Sequence, residues 1–421
     1  MVLKTDKIFV PIFYLAIFCQ LFLPSYKANI ALQTAMLGII LFLSGKSFSK
    51  DFAKSLIPIC LIFILGLITY LCHEYKTINL IKDISHFIKP LLGIALGYFL
   101  FKKMKFETFV KTIVFAGFVS AIIHFFIILI FGKLGSESIN EIRGSFGRDN
   151  FLELFSLLFF IFYKKYFKKF LFNGKWLNYV VLFTLAFSNI LYFSRTMIIS
   201  FIIAILTLYG FTKINRKSLK YILAFFLLFG LFYAYLFSIK LERDKPGLEA
   251  LLYKIKIAPS ELFKTRIDRN NHRELWDHWR GYEAKRAFAL MEDSPSSYAV
   301  GTGFGSLINL KFKAPLDDKG IRYISEIHNG YIYILYKSGI IGLICLFYFL
   351  LSLYRYQYRD QNFITILIST IGLIYFFTTL TITGIYNPRD IIIIILGGLI
   401  ANSESRLNKH TIPEIKNPTV I

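Results

Sequence analysis

Long apolar runs, broken by short polar punctuation, fill this chain on both sides of one extended polar stretch at residues 240–327. A helix crosses a bilayer in about 20 apolar residues. Twelve segments qualify, with soft edges: 8–25, 28–45, 53–71, 84–101, 108–131, 150–163, 177–193, 196–212, 219–239, 329–353, 362–383 and 390–404. They are too long and too uniformly apolar for barrel strands, so helices are the spanning structure. The pattern predicts an all-α integral membrane protein of about 12 transmembrane helices. It divides into a nine-span block (1–239), a long loop between spans nine and ten (240–327), a three-span block (328–404) and a cytoplasmic tail (405–421).

Within the loop, residues 273–291 place apolar or aromatic side chains at 275, 276, 279, 282, 287, 288 and 290, the spacing of an amphipathic helix. Lying flat on the membrane, such a helix presents Trp276 and Trp279 to headgroups. The stretch from Asp293 to Ser297 breaks it, GTGFG at 301–305 makes a tight turn, and 306–327 reads as mixed, polar and partly irregular. Connecting loops of membrane proteins are short unless they carry function, so this loop is the candidate catalytic element.

Charge orients the chain. Across 421 residues the formal net charge is +23, which by itself suggests nucleic acid. The cations instead gather in alternate short loops: Lys46 and Lys50; Lys102, Lys103 and Lys105; Lys164, Lys165, Lys168 and Lys169; Lys213, Arg216, Lys217 and Lys220; Arg355 and Arg359. The intervening loops are sparse, with Lys27, Lys76, Lys133, Arg143, Arg148, Arg195 and Arg389. This is the positive-inside bias, with both termini inside and the long loop outside. The composition, 56% hydrophobic with mean hydropathy +0.57, agrees with a membrane protein and not a soluble domain. The four cysteines sit in or beside spans and draw neither a disulfide framework nor a zinc site. The first span lacks a small-residue cleavage site after it and reads as a retained helix. Aromatic residues near the span ends fit interfacial anchoring. No internal repeat is visible, which weighs against a transporter built from inverted repeats.

The residues that carry chemistry are few. Arg195, in FSRT between two apolar runs, is either a phosphate anchor or a snorkelling helix-end cation. Arg273, with Arg266, Arg269 and Arg280, forms a local basic cluster suited to a diphosphate, set against the plainer alternative of solvated helix charges. His328 stands at the outer mouth of the tenth span, where an imidazole serves as a base if Asn329 or Glu326 orients it; otherwise it is an interfacial residue. His272 and His278 lack the four-residue spacing of a helical metal pair, and no metal site is expected. GTGFG follows no strand, so it reads as a turn packed against a helix or headgroup, not a dinucleotide loop. RGSFGRDN at 143–150 supplies Arg143, Arg148 and Asn150, or simply starts a helix. Lys82, Asp83, His86 and Lys89 read as internal ion pairing.

Taken in order, RGSFGRDN before a span, Ser194-Arg195, RELW at 273–276, GTGFG, and HNGYIYILYKSGIIGL at 328–343 resemble the O-antigen ligase and polymerase family of bacterial envelope glycan synthesis. The resemblance covers roughly 140–350. It implies a GT-C-like helical fold in the inner membrane and a metal-independent, inverting glycosyl transfer at the periplasmic face, without a cofactor. The donor would be a glycan on undecaprenyl diphosphate, and the acceptor a sugar hydroxyl on a lipid A core or on a carrier-linked chain. By position, Arg195 and Arg273 would hold the diphosphate and His328 would be the base. Arg143, Arg148, Asn150, Arg266, Arg280, Gly303 and Asn329 would contact substrate. The link ALMEDSPSSYAVGTGFG is longer than in many relatives. Ligase is the leading expectation and polymerase the first alternative. A lipid-linked glycan transporter and a non-catalytic scaffold come after these. Nucleic acid is not an expected partner.

Overall fold

The computed structural model describes residues 6–23, 26–44, 47–131, 149–242, 248–263, 268, 271–315, 320–359 and 362–404. A helix lies on each of the twelve apolar segments. The first nine are α1 (Asp6–Phe22), α2 (Tyr26–Ser44), α3 (Lys50–Tyr70), α4 (Thr77–Phe101), α5 (Phe106–Phe131), α6 (Phe151–Phe167), α7 (Lys175–Leu191), α8 (Arg195–Leu208) and α9 (Arg216–Ser238). The intervening loop carries α10 (Leu248–Phe263), α11 (His272–Asp277), α12 (Trp279–Glu292), α13 (Ser297–Val300), β1 (Ile308–Ala314) and β2 (Ile321–Ile324). Then come α14 (Gly330–Tyr354), α15 (Phe363–Thr381) and α16 (Ile392–Glu404). Among the described residues, seven of these helices are long and apolar enough to cross a membrane, and four more are apolar but shorter. The protein is therefore a multi-pass helical membrane protein.

These helices are apolar nearly all round, so their outer faces need lipid. On α9, Leu223, Phe226, Leu227 and Leu228 are all well exposed. The packed centre is α4 against α16. A β-carbon on Gly97 would come within 2.0 Å of the Ile394 carbonyl oxygen, and one on Gly397 within 2.0 Å of the Ile94 oxygen. Reciprocal glycines thus let the two backbones touch, which is how helices associate where no hydrophobic drive exists between them.

The second device is a break in α14. Gly339 has φ +66° and ψ −169° inside the helix, and a β-carbon there would lie 2.2 Å from the Ala299 carbonyl oxygen. The break frees carbonyls of the preceding turn, and the GTGFG segment satisfies them. Thr302 N–H donates to Tyr336 O (2.7 Å) and Gly303 N–H to Lys337 O (3.1 Å), while Phe304 N–H reaches across to Gly66 O on α3 (3.0 Å). Phe304 is fully buried among Phe63 and Phe87. The turn is thus packed against helices, one of the two alternatives its sequence left open.

Two expectations for the loop need correction. The helix over 273–291 is two helices, broken at His278. Trp279 does not face headgroups: it is 6% exposed in a small core with Leu275, Tyr282, Leu310 and Ala314, although Trp276 is partly exposed. Within residues 306–327, Ile308–Ala314 and Ile321–Ile324 pair as antiparallel strands, matching Ile308 with Ile324 and Asn309 with Tyr323 and slipping register before Ala314 meets Ile321, so the stretch is irregular only in part. A stretch with a strand-like aromatic pattern on both sides of a polar turn needed a partner surface to become a hairpin, and α12 supplies it.

Candidate active site

Three elements converge on the loop side of the bundle: the start of α8, the start of α14, and α12 with α10 beside it. Ser194 caps α8, its hydroxyl accepting from Met197 N–H (3.2 Å). Arg195 follows as the first helical residue, where the helix dipole disfavours a cation. Its guanidinium turns to α10, donating to the Lys254 carbonyl and to Glu261 Oε1 (3.2 Å). Arg280 on α12 donates to the other oxygen, Glu261 Oε2, at 2.7 Å. One largely buried carboxylate therefore holds two arginines from different elements side by side.

One turn along α12 from Arg280 is Glu283, 3% exposed at its side chain. Its Oε1 accepts from the Trp279 indole (2.6 Å). Its Oε2 accepts the backbone N–H of His328 at 2.9 Å, and the His328 Nδ1 lies 3.0 Å from the same oxygen. A carboxylate only accepts, so Nδ1 carries the proton and Nε2 of the neutral ring presents its lone pair away from Glu283. The imidazole is half exposed. Burial opposes its protonation, but the hydrogen bond and charge of Glu283 outweigh that and raise its pKa above the ordinary histidine value. The Arg280 charge pulls the other way.

The orienting residue is thus neither of the two the sequence suggested. Asn329 caps α14, its side-chain oxygen accepting from Tyr331 N–H (3.1 Å) and Ile332 N–H (3.3 Å). Glu326 faces His86 at 3.5 Å, and burial pushes its pKa up to about 7. Asp83 pairs with Lys337 (2.5 Å) and accepts from Gly305 N–H (2.7 Å). Of the ionisable residues near the fourth span, Asp83 and His86 therefore face later segments across the fold, while the buried Lys89 ammonium has no hydrogen-bond partner among the described residues.

Arg195, Arg280 and His328 are brought together. Gly303 sits on the backbone of Thr69 and Tyr70 and on Lys337. Asn150 caps α6 and is buried, with its amide on Ser120 (2.9 Å), Glu153 (2.9 Å) and Tyr192 (3.1 Å). Arg273 lies on α11, with its side chain outside the described residues; Arg143, Arg148 and Arg266 lie outside them entirely. Two residues of the cluster escaped the sequence: Glu261, on a helix hidden in the supposed loop, and Glu283. Their signal was a carboxylate on an apolar face, since Glu283 follows the buried Trp279 by one turn. Among the described residues no group of three or more His, Cys, Asp or Glu is placed to hold a metal ion.

Residues 180–347 match the family model described as O-antigen ligase. The matched stretch contains Arg195, Glu261, Arg280, Glu283 and His328. No curated protein matches the chain.

Proposed function

With the O-antigen ligase domain across residues 180–347 as the premise, we propose that this protein transfers a glycan from undecaprenyl diphosphate to a sugar hydroxyl of a lipid A core, at the periplasmic face of a bacterial inner membrane. The observation that carries this reading is the His328–Glu283 dyad set one helical turn from Arg280, which shares Glu261 with Arg195.

The chemistry follows from the parts. His328 Nε2 takes the proton of the acceptor hydroxyl as its oxygen attacks the anomeric carbon. The bond from that carbon to the phosphate oxygen breaks, and the diphosphate leaves with the electron pair. Arg195 and Arg280 balance the charge that develops on it, displacing Glu261 from part of its contacts. Arg273, one helix earlier in the chain, would join them in this reading. A single displacement inverts the anomeric centre. The energy lies in the donor bond, so no nucleotide and no metal is called for.

The test is transfer by purified protein with an undecaprenyl diphosphate glycan, in the presence of a chelator. Lipid A core and a second carrier-linked unit are offered separately. Product on the core supports the ligase reading; a ladder on the carrier shifts it to a polymerase. Arg195→Ala should lower kcat/KM by about 10²–10³-fold, the effect of losing one preorganised charge-stabilising donor. Absence of transfer to either acceptor, or an Arg195→Ala variant equal to wild type, overturns the assignment.

A further inference from the structure

A cavity of about 620 Å³ opens on the loop side, between the end of α3, the end of α12 and the GTGFG turn. Part of its wall is apolar, with Leu65 and Leu290 half-buried and Ile68 exposed. Rings and hydroxyls make up much of the remainder, with Val300, Leu307 and Cys72 among them. His73 and Tyr75 stack at 5.2 Å with planes 7° apart, and the Tyr75 hydroxyl donates to Thr302 O at 3.0 Å, which pins the pair in place. Ser294 and Ser296 stand exposed at the rim with their hydroxyls 3.3 Å apart. Among the described residues that line it, none is Lys, Arg, Asp or Glu.

That lining is a poor host for a diphosphate and a good one for an uncharged saccharide. A sugar offers hydroxyls that need donors and acceptors, and C–H faces that lie on aromatic rings. Its place along α12 matters as much. Arg280, Glu283 and Leu290 fall in sequence along one helix. Leu290 is seven residues beyond Glu283, about 10 Å along the axis and within about 20° of the same face at 3.6 residues per turn. Cationic cluster, base and uncharged cavity thus follow one another in line.

We infer that this cavity holds the saccharide of the acceptor, presenting its hydroxyl toward His328 while the donor diphosphate sits at the arginines. The inference rests on the transfer reading above for its direction, but the binding itself can be measured without turnover. Cys72 lines the cavity and is exposed, whereas Cys19 is buried and Cys60 and Cys345 are half-buried. Alkylation of Cys72 by a membrane-impermeant maleimide is therefore a reporter, with Cys72→Ser giving the background.

The probes are a panel of neutral oligosaccharides with different terminal sugars and, separately, undecaprenyl diphosphate without a glycan. At least one oligosaccharide should slow labelling, and the bare diphosphate lipid should not. In the transfer assay, Ser296→Phe should raise the acceptor KM by about tenfold with the donor KM near wild type. The proposal is overturned if the bare lipid protects as well as the saccharides do. It is overturned equally if no saccharide protects, or if Ser296→Phe raises the donor KM instead, which would give the cavity to the donor glycan. Protection by saccharide in a protein that transfers nothing would leave the cavity assignment standing and remove the transferase reading.

Discussion

Two buried carboxylates, Glu153 and Glu283, look alike by satisfaction and differ in what surrounds them. Glu153 on α6 is 0% exposed and takes hydrogen bonds from Ser120 (2.8 Å), Ser188 (2.5 Å), Tyr192 (3.0 Å) and Asn150 (2.9 Å). Glu283 is just as enclosed, with the Trp279 indole and His328 as donors. Every donor to Glu153 is a neutral group sealed in the bundle, and its network runs on to the buried His124 through Ser188 (2.7 Å). One donor to Glu283 is a titratable ring that is half exposed. Saturation keeps a buried carboxylate tolerable in either place. Chemistry enters only where a saturated carboxylate holds a group that still has a free, exposed face.

The widest separation between these regions should come from removing the open ring. His328→Ala is expected to lower kcat by about 10²–10⁴-fold, the worth of a positioned base, with the protein still folded. Glu153→Gln should leave kcat within a few-fold. It should instead cost stability, about 1–3 kcal/mol, because one of its oxygens becomes a donor facing donors. Side-by-side kinetics and thermal unfolding in detergent decide this. If Glu153→Gln abolished transfer in a fully folded protein, the contrast would collapse and the interior network would have to join the mechanism.

A smaller effect tests how Glu283 acts. It raises the pKa of His328 above the ordinary histidine value, so a base at this position is protonated and idle until pH rises past that raised value. The rate should climb with pH through that point. Glu283→Gln keeps an acceptor for Nδ1–H but removes the charge, so the ring loses its proton at lower pH and the acid limb should move down. The maximal rate should fall roughly tenfold, since a less basic ring is a weaker base. An acid limb that stays put would mean that His328 is not the group being titrated.

That the apolar segments are helices was legible because a backbone in lipid has few other solutions; among the described residues seven of them are long and apolar enough to cross a membrane. The convergence of Arg195 and His328 on one side was legible through the alternation of charge between loops. What the sequence withheld are partners set by tertiary contact. Glu283 in RGYEAKR looks like any solvated acid, and only the burial of Trp279 and Tyr282 beneath the hairpin turns that face inward. Glu261 sits on α10, whose KIKIAPSELF end carries Pro259 and charges that hide a helical period. Nor does Gly339 announce that it breaks a helix, since glycine in an apolar run is equally often a packing contact.

The smallest expected effect on transfer, and a third term in the comparison, belongs to Asp83 and Lys337. They are 1% and 0% exposed, paired at 2.5 Å, and they join α4 to α14 just before the Gly339 break. Lys337 also donates to Ser306 O (2.7 Å), and Asp83 accepts from Gly305 N–H, so the pair clamps the turn that lines the cavity. Neither has an open face. Lys337→Met strands a buried carboxylate and should cost about 3–5 kcal/mol. Asp83→Asn added to it removes the stranded charge while keeping an acceptor for Gly305, so the double variant should recover much of that stability. Transfer by whatever remains folded should stay within a few-fold of wild type for both. Thermal unfolding of the two variants, with kcat measured below the transition, separates the outcomes. A double variant as stable as wild type but slow in transfer would show that this pair, unlike Glu153, reaches the reaction, and the rule drawn from the two carboxylates would need a route other than an exposed face.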